Sequence, residues 1–140
     1  MPQDFDQQIS IVVNKDLASW QALNTVAHIS AYLGNKLNDR FGTGEFFTSH
    51  DDIRHPRNTQ YPIIIFAVEK SDLPLFAHTV RTAGLLYLGF IREMLEATND
   101  AEIEIAVSQK KEDVIEYLGV GAFGSKVQLK LLTKKFSLWK

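Results

Sequence analysis

The segment that decides the fold is residues 61–91, YPIIIFAVEKSDLPLFAHTVRTAGLLYLGFI. It opens with Ile63 to Val68, an unbroken apolar run rich in β-branched side chains. Such a run reads as a strand buried on both faces, as in the centre of a parallel sheet. Pro62 has no amide hydrogen and suits only the strand's first position. Ser71 then caps a helix whose first turn tolerates Asp72 and Pro74. Leu73, Phe76, Ala77 and Val80 fall on one face of that helix. Gly84 stands where a glycine ends a helix, and Leu85 to Ile91 forms the next strand.

The same alternation extends toward the N-terminus. Ile9 to Val13 is a short β-branched run bounded by polar residues, hence a strand. Ser19 is the expected cap of a helix running from Trp20 to about Asn38. Its apolar row is Leu23, Ala27 and Ala31, with Val26, Ile29 and Leu33 alongside. Strand, helix, strand, helix, strand predicts an α/β domain around a mixed, mostly parallel sheet of four to five strands. Residues 39–60 are polar and irregular. A loop of that length is either functional or hides a short element.

Toward the C-terminus, Glu102-Ile103-Glu104-Ile105 alternates like a strand. Thr98-Asn99-Asp100 looks like a helix cap, however, and Ile103, Ala106 and Val107 share a helical face, so a short helix is favoured within 98–113. Val114 to Phe123 is a strand punctuated by glycine. Ser125 caps a last helix with Val127, Leu131 and Leu132 expected to face inward. Phe136-Ser137-Leu138-Trp139 ends the chain as a short strand or apolar tail.

Composition narrows the function classes. The 140 residues make one domain, 1–140, with 45% hydrophobic and 23% charged residues, a globular balance. Cysteine is absent, which excludes disulfides, thiolate metal sites and a cysteine nucleophile. A net charge of −2 argues against a general nucleic-acid coat. No apolar run reaches the ~18 residues of a membrane span. The polar, acidic start MPQDFDQQIS is unlike a targeting peptide, so a cytoplasmic setting is expected.

Ligands of open α/β sheets bind beyond the carboxyl ends of the strands. That rule selects Asn14, Lys15 and Asp16 after the first strand. It also selects Arg92, Glu93 and Thr98 to Asp100 after the third, and the Gly121–Ser125 turn. Asp16 and Lys15 either orient a polar ligand or serve as a capping carboxylate and a solvated lysine. His28 lies one helical turn past Asn24. It is either an acid–base group near neutral pH or a buried histidine bonded to a backbone carbonyl. His50, Asp51, Asp52 and His55 match no dedicated metal spacing, and neither metal nor cofactor is expected. Gly119, Gly121 and Gly124 ahead of Ser125-Lys126 do not have phosphate-loop spacing, so close strand packing is the simpler role. Lys126, Lys130 and Lys134 form a basic stripe, expected to be a solvated face.

Two segments carry a family resemblance. One is Val12-Val13-Asn14-Lys15-Asp16-Leu17, followed by a helix with Ala27-His28. The other is Leu118-Gly119-Val120-Gly121, followed by a helix and Phe136-Ser137-Leu138-Trp139. Together they resemble the type II peptidyl-tRNA hydrolase superfamily. The chain is more closely similar to an uncharacterised branch of it, the domain of unknown function 2000 family, at Asn14, Lys15, Asp16, Asn24, Ala27, His28, Gly119, Gly124 and Leu138-Trp139. The departures lie in the chemistry. Ala18-Ser19-Trp20-Gln21 replaces the hydrolases' lysine-bearing Gly-Lys-Gly-Lys stretch, and Asn14 replaces an arginine. Thr25-Val26 replaces Gln-Cys, and Arg92 to Thr98 replaces the Asp-x-Gly-Arg-Thr loop.

The resemblance implies a three-layer, peptidyl-tRNA hydrolase II-like domain that binds a small polar or anionic ligand. His28 and Asp16 would be the catalytic pair, and Asn14, Lys15, Asn24, Thr98 and Ser125 the ligand-binding residues. A divergent hydrolase would need replacement cations, and Lys15, Arg92 and Lys126 are those the topology allows. A homodimer is the expected assembly, joined through the glycine-rich strand or the apolar tail. tRNA is the less favoured partner.

Overall fold

The computed structural model describes residues 2–140. In chain order its elements are β1 (Gln7–Asn14), α1 (Ser19–Leu37), β2 (Phe46–Thr48), β3 (Arg54–Pro56), β4 (Ile63–Val68), α2 (Asp72–Thr82), β5 (Leu86–Ile91), α3 (Arg92–Glu96), α4 (Asp100–Ser108), β6 (Tyr117–Ser125), α5 (Lys126–Thr133) and β7 (Ser137–Leu138). Five strands form one mixed sheet in the order β5-β6-β1-β4-β7. β1, β4 and β5 run the same way, yet β1–β4 is the one parallel neighbouring pair. The expectation of a mostly parallel sheet is therefore corrected. The reason is the path of residues 92–116. The Arg92 amide donates to the Glu116 carbonyl at 3.0 Å, so the chain returns to the end of the sheet where β5 stops. The next strand, β6, must then run back, between β5 and β1.

Alternate residues of the central strands feed two cores. Ile9, Ile11 and Val13 face α1, whereas Val12, Val120 and Ala122 face α2 and α5. On α1 the buried row is Ala22, Thr25, Ile29, Leu33 and Leu37. The row read from sequence is rotated out, and Leu23 is 71% exposed. Glycine explains the choice. A Cβ on Gly119 would lie 2.6 Å from Thr25, and one on Gly121 would lie 2.2 Å from Ile29. The two glycines are hollows that receive one row of the helix. Thr25 tolerates burial because its hydroxyl donates to the Gln21 carbonyl at 2.8 Å.

Other expectations shift in similar ways. α1 begins after Ala18, with Ser19 inside it, and the Gln21 side chain accepts the Ala18 amide at 3.2 Å. β4 has its predicted bounds but is buried mainly on one face, because α1 lies over β1, β5 and β6. α2 buries the four predicted residues, and Gly84 follows it at φ +71°. The 39–60 segment contains the β2–β3 hairpin, which the sequence pattern did not reveal. Residues 98–113 hold the helix α4. On α5, Leu129 and Thr133 are buried, whereas Val127 and Leu131 stand in solvent, because Leu129 sits over the sheet and sets the helix's rotation. Trp139 is 37% exposed and lines a shallow groove with Leu23, Val26 and Ile65. Among the described residues, no helix is long and apolar enough to cross a membrane.

Gly121→Ala should lower stability by about 1–3 kcal/mol, the usual cost of overpacking a filled core. Gly84→Ala meets no atom within 4 Å and bears only the cost of its positive φ, about 1 kcal/mol. Urea midpoints of the two variants against wild type check this ranking.

Candidate functional site

The carboxyl ends of β1, β4 and β5 share one end of the sheet. Asn14 is buried there, and its side-chain oxygen accepts the Asp16 amide at 2.9 Å. Lys15 reaches Glu69 beyond β4 at 3.1 Å, and Asp16 points to solvent. Arg92 pairs with Glu116 at 2.8 Å, which holds the Glu116 carboxyl below the usual carboxylate range. Thr98 gives both its amide and its hydroxyl to Glu102, and Asn99 caps α4 by accepting the Glu102 amide at 2.9 Å. Such a cap is worth about 1 kcal/mol. Glu93 is buried. One of its oxygens takes the Lys110 ammonium at 2.9 Å, and the other has no hydrogen-bond partner among the described residues.

Ser125 lies elsewhere. β6 is antiparallel to β1, so Ser125 pairs with Gln7 at the opposite end of the sheet. Its hydroxyl accepts the Gln128 amide at 3.0 Å, a capping role. Lys126 is at that far end too, its amide bonded to the Asp6 carbonyl at 2.8 Å. The three candidate replacement cations are thus not assembled, since Lys15 and Arg92 are engaged in ion pairs and Lys126 is remote. Among the described residues, no three His, Cys, Asp or Glu side chains converge to hold a metal, and Asp51 instead accepts the Ser49 hydroxyl.

His28 is exposed and, among the described residues, is not bonded to a carbonyl. It lies flat on Phe90 of β5, with ring centroids 5.1 Å apart and planes 18° from parallel. The pair opens on a groove of roughly 700 Å³. α1 contributes His28, Ala31, Tyr32 and Asn35. β5 and α3 contribute Leu88, Phe90 and Met94, and α4 contributes Asp100, Ile103 and Glu104. Asp16, Asn24 and Thr98 are not in its lining. Tyr32 and Asn35 were missed in the sequence although they follow His28 at helical spacing, four and seven residues on. Asp100 and Glu104 carried no signal, because acids on a short polar helix usually face water.

Beside the groove, on the other face of β5, lies a second polar cluster. Arg81 donates to the Tyr87 hydroxyl at 2.8 Å and to the Tyr117 hydroxyl at 3.1 Å, and the Tyr117 hydroxyl donates to Glu112. Burial, reinforced by Glu112, pushes the Tyr117 hydroxyl up to about 12 despite the opposing Arg81 charge. The two tyrosine hydroxyls hold the Arg81 guanidinium firmly protonated.

A family model described as a protein of unknown function, DUF2000, matches residues 7–140. The chain belongs to the DUF2000 family. No curated protein matches it. Among solved structures, this DUF2000 chain is similar to a protein of unknown function from Agrobacterium tumefaciens strain C58. The TM-score is 0.85 at 20% identity, covering 98% of this chain and all of the other. At that identity the likeness is one of fold.

Tyr117 should make the DUF2000 chain lose stability in alkali. Between its unfolded value of 10.0 and its folded value of about 12, the native state keeps a proton that the unfolded state releases. Stability therefore falls as pH rises through that window. The drop in urea midpoint from pH 9.5 to pH 11.5 should be smaller in Tyr117→Phe than in wild type. Equal drops would remove Tyr117 from the account.

Proposed function

We propose that this protein is a ligand-binding domain whose site is the His28 groove. The observation that carries the proposal is convergence. One concave surface collects a histidine stacked on an aromatic ring, a tyrosine, an amide and two carboxylates from three separate segments. Concave sites with a few convergent polar groups on an apolar floor are the usual form of small-molecule sites. The ring of His28 offers a planar surface, and Asp100 and Glu104 set the preference. They favour a small polar ligand with a cationic or donor-rich group, and they disfavour an anion.

We also infer that the chain shares ancestry with the type II peptidyl-tRNA hydrolases, supported by the strand–helix order and the positions of Asn14 to Asp16, His28 and Gly119. Hydrolysis is the weaker reading, because a cationic cradle for tRNA phosphates is not gathered at His28. A homodimer remains part of the proposal, with Leu23, Val26, Ile65 and Trp139 as its apolar contact surface, and this needs no catalysis.

The test is a thermal-shift screen of small amines, amino acids and nucleosides on wild type, His28→Ala and Glu104→Gln. A binder should raise the wild-type melting temperature by several degrees, and both substitutions should lower that gain by more than half. Binders indifferent to both substitutions would place the site elsewhere. Release of an N-blocked amino acid from its tRNA, lost in His28→Ala, would restore the hydrolase reading.

A further inference from the structure

β5 is an outermost strand, and its free edge is chemically unfinished. The hydrogen-bond alternation can be traced across the sheet. The amides of Ile9 and Lys15 bond to the carbonyls of Pro62 and Val68, so the odd-numbered residues of β1 use β4. The even-numbered ones then use β6, through Val120 and Ala122. That leaves Gly119, Gly121 and Phe123 to bond Phe90, Leu88 and Leu86. Tyr87 and Gly89 must therefore turn their N–H and C=O groups outward. No group among the described residues bonds those main-chain atoms.

Tyr87 and Gly89 instead line a cavity of roughly 350 Å³, which shares Tyr32 and Leu88 with the His28 groove. Natural edges are commonly guarded by charge, proline or a covering element. Leu86 to Ile91 has neither charge nor proline, and its one irregularity is a bulge at Phe90/Ile91. On the α1 side stand the carboxylates Asp100 and Glu104. On the other side the Tyr117 ring occupies the space over Gly89, with Val107 and Ile115 beside it and the paired Arg81 and Glu112 completing the lining.

We propose that the β5 edge accepts an extended peptide of alternating basic and apolar residues as an added strand. Main-chain pairing would satisfy Tyr87 and Gly89, and alternate side chains would reach the two sides of the edge. Basic side chains meet Asp100 and Glu104, and apolar ones meet Tyr117, Val107 and Ile115. A second copy of this chain is a poorer occupant. Residues 92–116 carry eight carboxylates against three cations, so two such edges set side by side would repel. The proposed strand site shares Asp100 and Glu104 with the His28 groove, but it rests on main-chain pairing at Tyr87 and Gly89 and not on a small ligand binding there.

The test is amide-resolved NMR of the full chain with acetylated and amidated Lys-Val-Lys-Val-Lys-Val-Lys. Binding should move the Tyr87 and Gly89 amides and slow their hydrogen exchange at least tenfold. Methylating alternate backbone nitrogens of the peptide should weaken binding at least tenfold, as should Asp100→Asn with Glu104→Gln. Val127→Ala, exposed on α5 away from this edge, should leave it unchanged. Any of three outcomes overturns the proposal. One is no change at Tyr87 and Gly89. Another is equal binding of the methylated peptide, which would mean charge attraction alone. The third is a dimer in which both amides already exchange slowly, which would put a second copy on the edge.

Discussion

The contact on which the rest of the structure depends is the seating of α1 on the glycines of β6. Gly119 and Gly121 leave hollows that Thr25 and Ile29 fill to within distances no Cβ would permit. The hollows are two residues apart on a strand, a spacing that matches helix positions four apart such as Thr25 and Ile29. That selects the rotation of α1 about its own axis. Each fully buried Ile or Leu on the chosen row contributes about 1.5–3 kcal/mol, so Ile29, Leu33 and Leu37 together outweigh the exposure of Leu23.

The groove follows from that rotation. With Ile29 down in the sheet, His28 is turned toward β5, where it meets Phe90. Tyr32 and Asn35 come round on the same side, one and two turns later. The opposite wall is α4, which has no buried residue of its own. Its position is held by Val107, which packs against the core, and by the Glu93–Lys110 pair between α3 and the segment after α4. Replacing either partner of that pair would leave the other with an uncompensated charge, and Glu93 is the more deeply buried of the two.

The electrostatic character of this end of the sheet is set by carboxylates. Lys15 and Arg92, the cations nearest the strand ends, are each taken up by a glutamate. Surface pairs of this kind add at most about 1 kcal/mol to stability. Their consequence here is for recognition, since they withdraw positive charge from the place where a phosphate-binding site would need it. The fold is shared with a distant solved structure at 20% identity. Fold alone therefore cannot transfer a reaction to it.

Local sequence determined the strand and helix identities wherever the pattern was long and periodic. β4 and α2 are legible because a β-branched run and a one-sided apolar row cannot be satisfied in another conformation. The caps at Asn99 and Ser125 are legible because short polar side chains there have amides within reach. Asn14 and Asp16 were recognisable as a turn, but whether they faced a ligand was not, since that depends on what crosses above them. Tertiary structure alone decided the rows of α1 and α5 that are buried, the antiparallel run of β6 and the location of Ser125 at the far end. The β2–β3 hairpin was illegible because its strands are three residues long and exposed, too short for any periodicity to register. The groove was illegible for a related reason. His28, Phe90 and Glu104 belong to three segments whose spacing in the chain carries no trace of their meeting, and only the packing of α1 against the glycines of β6 brings them together.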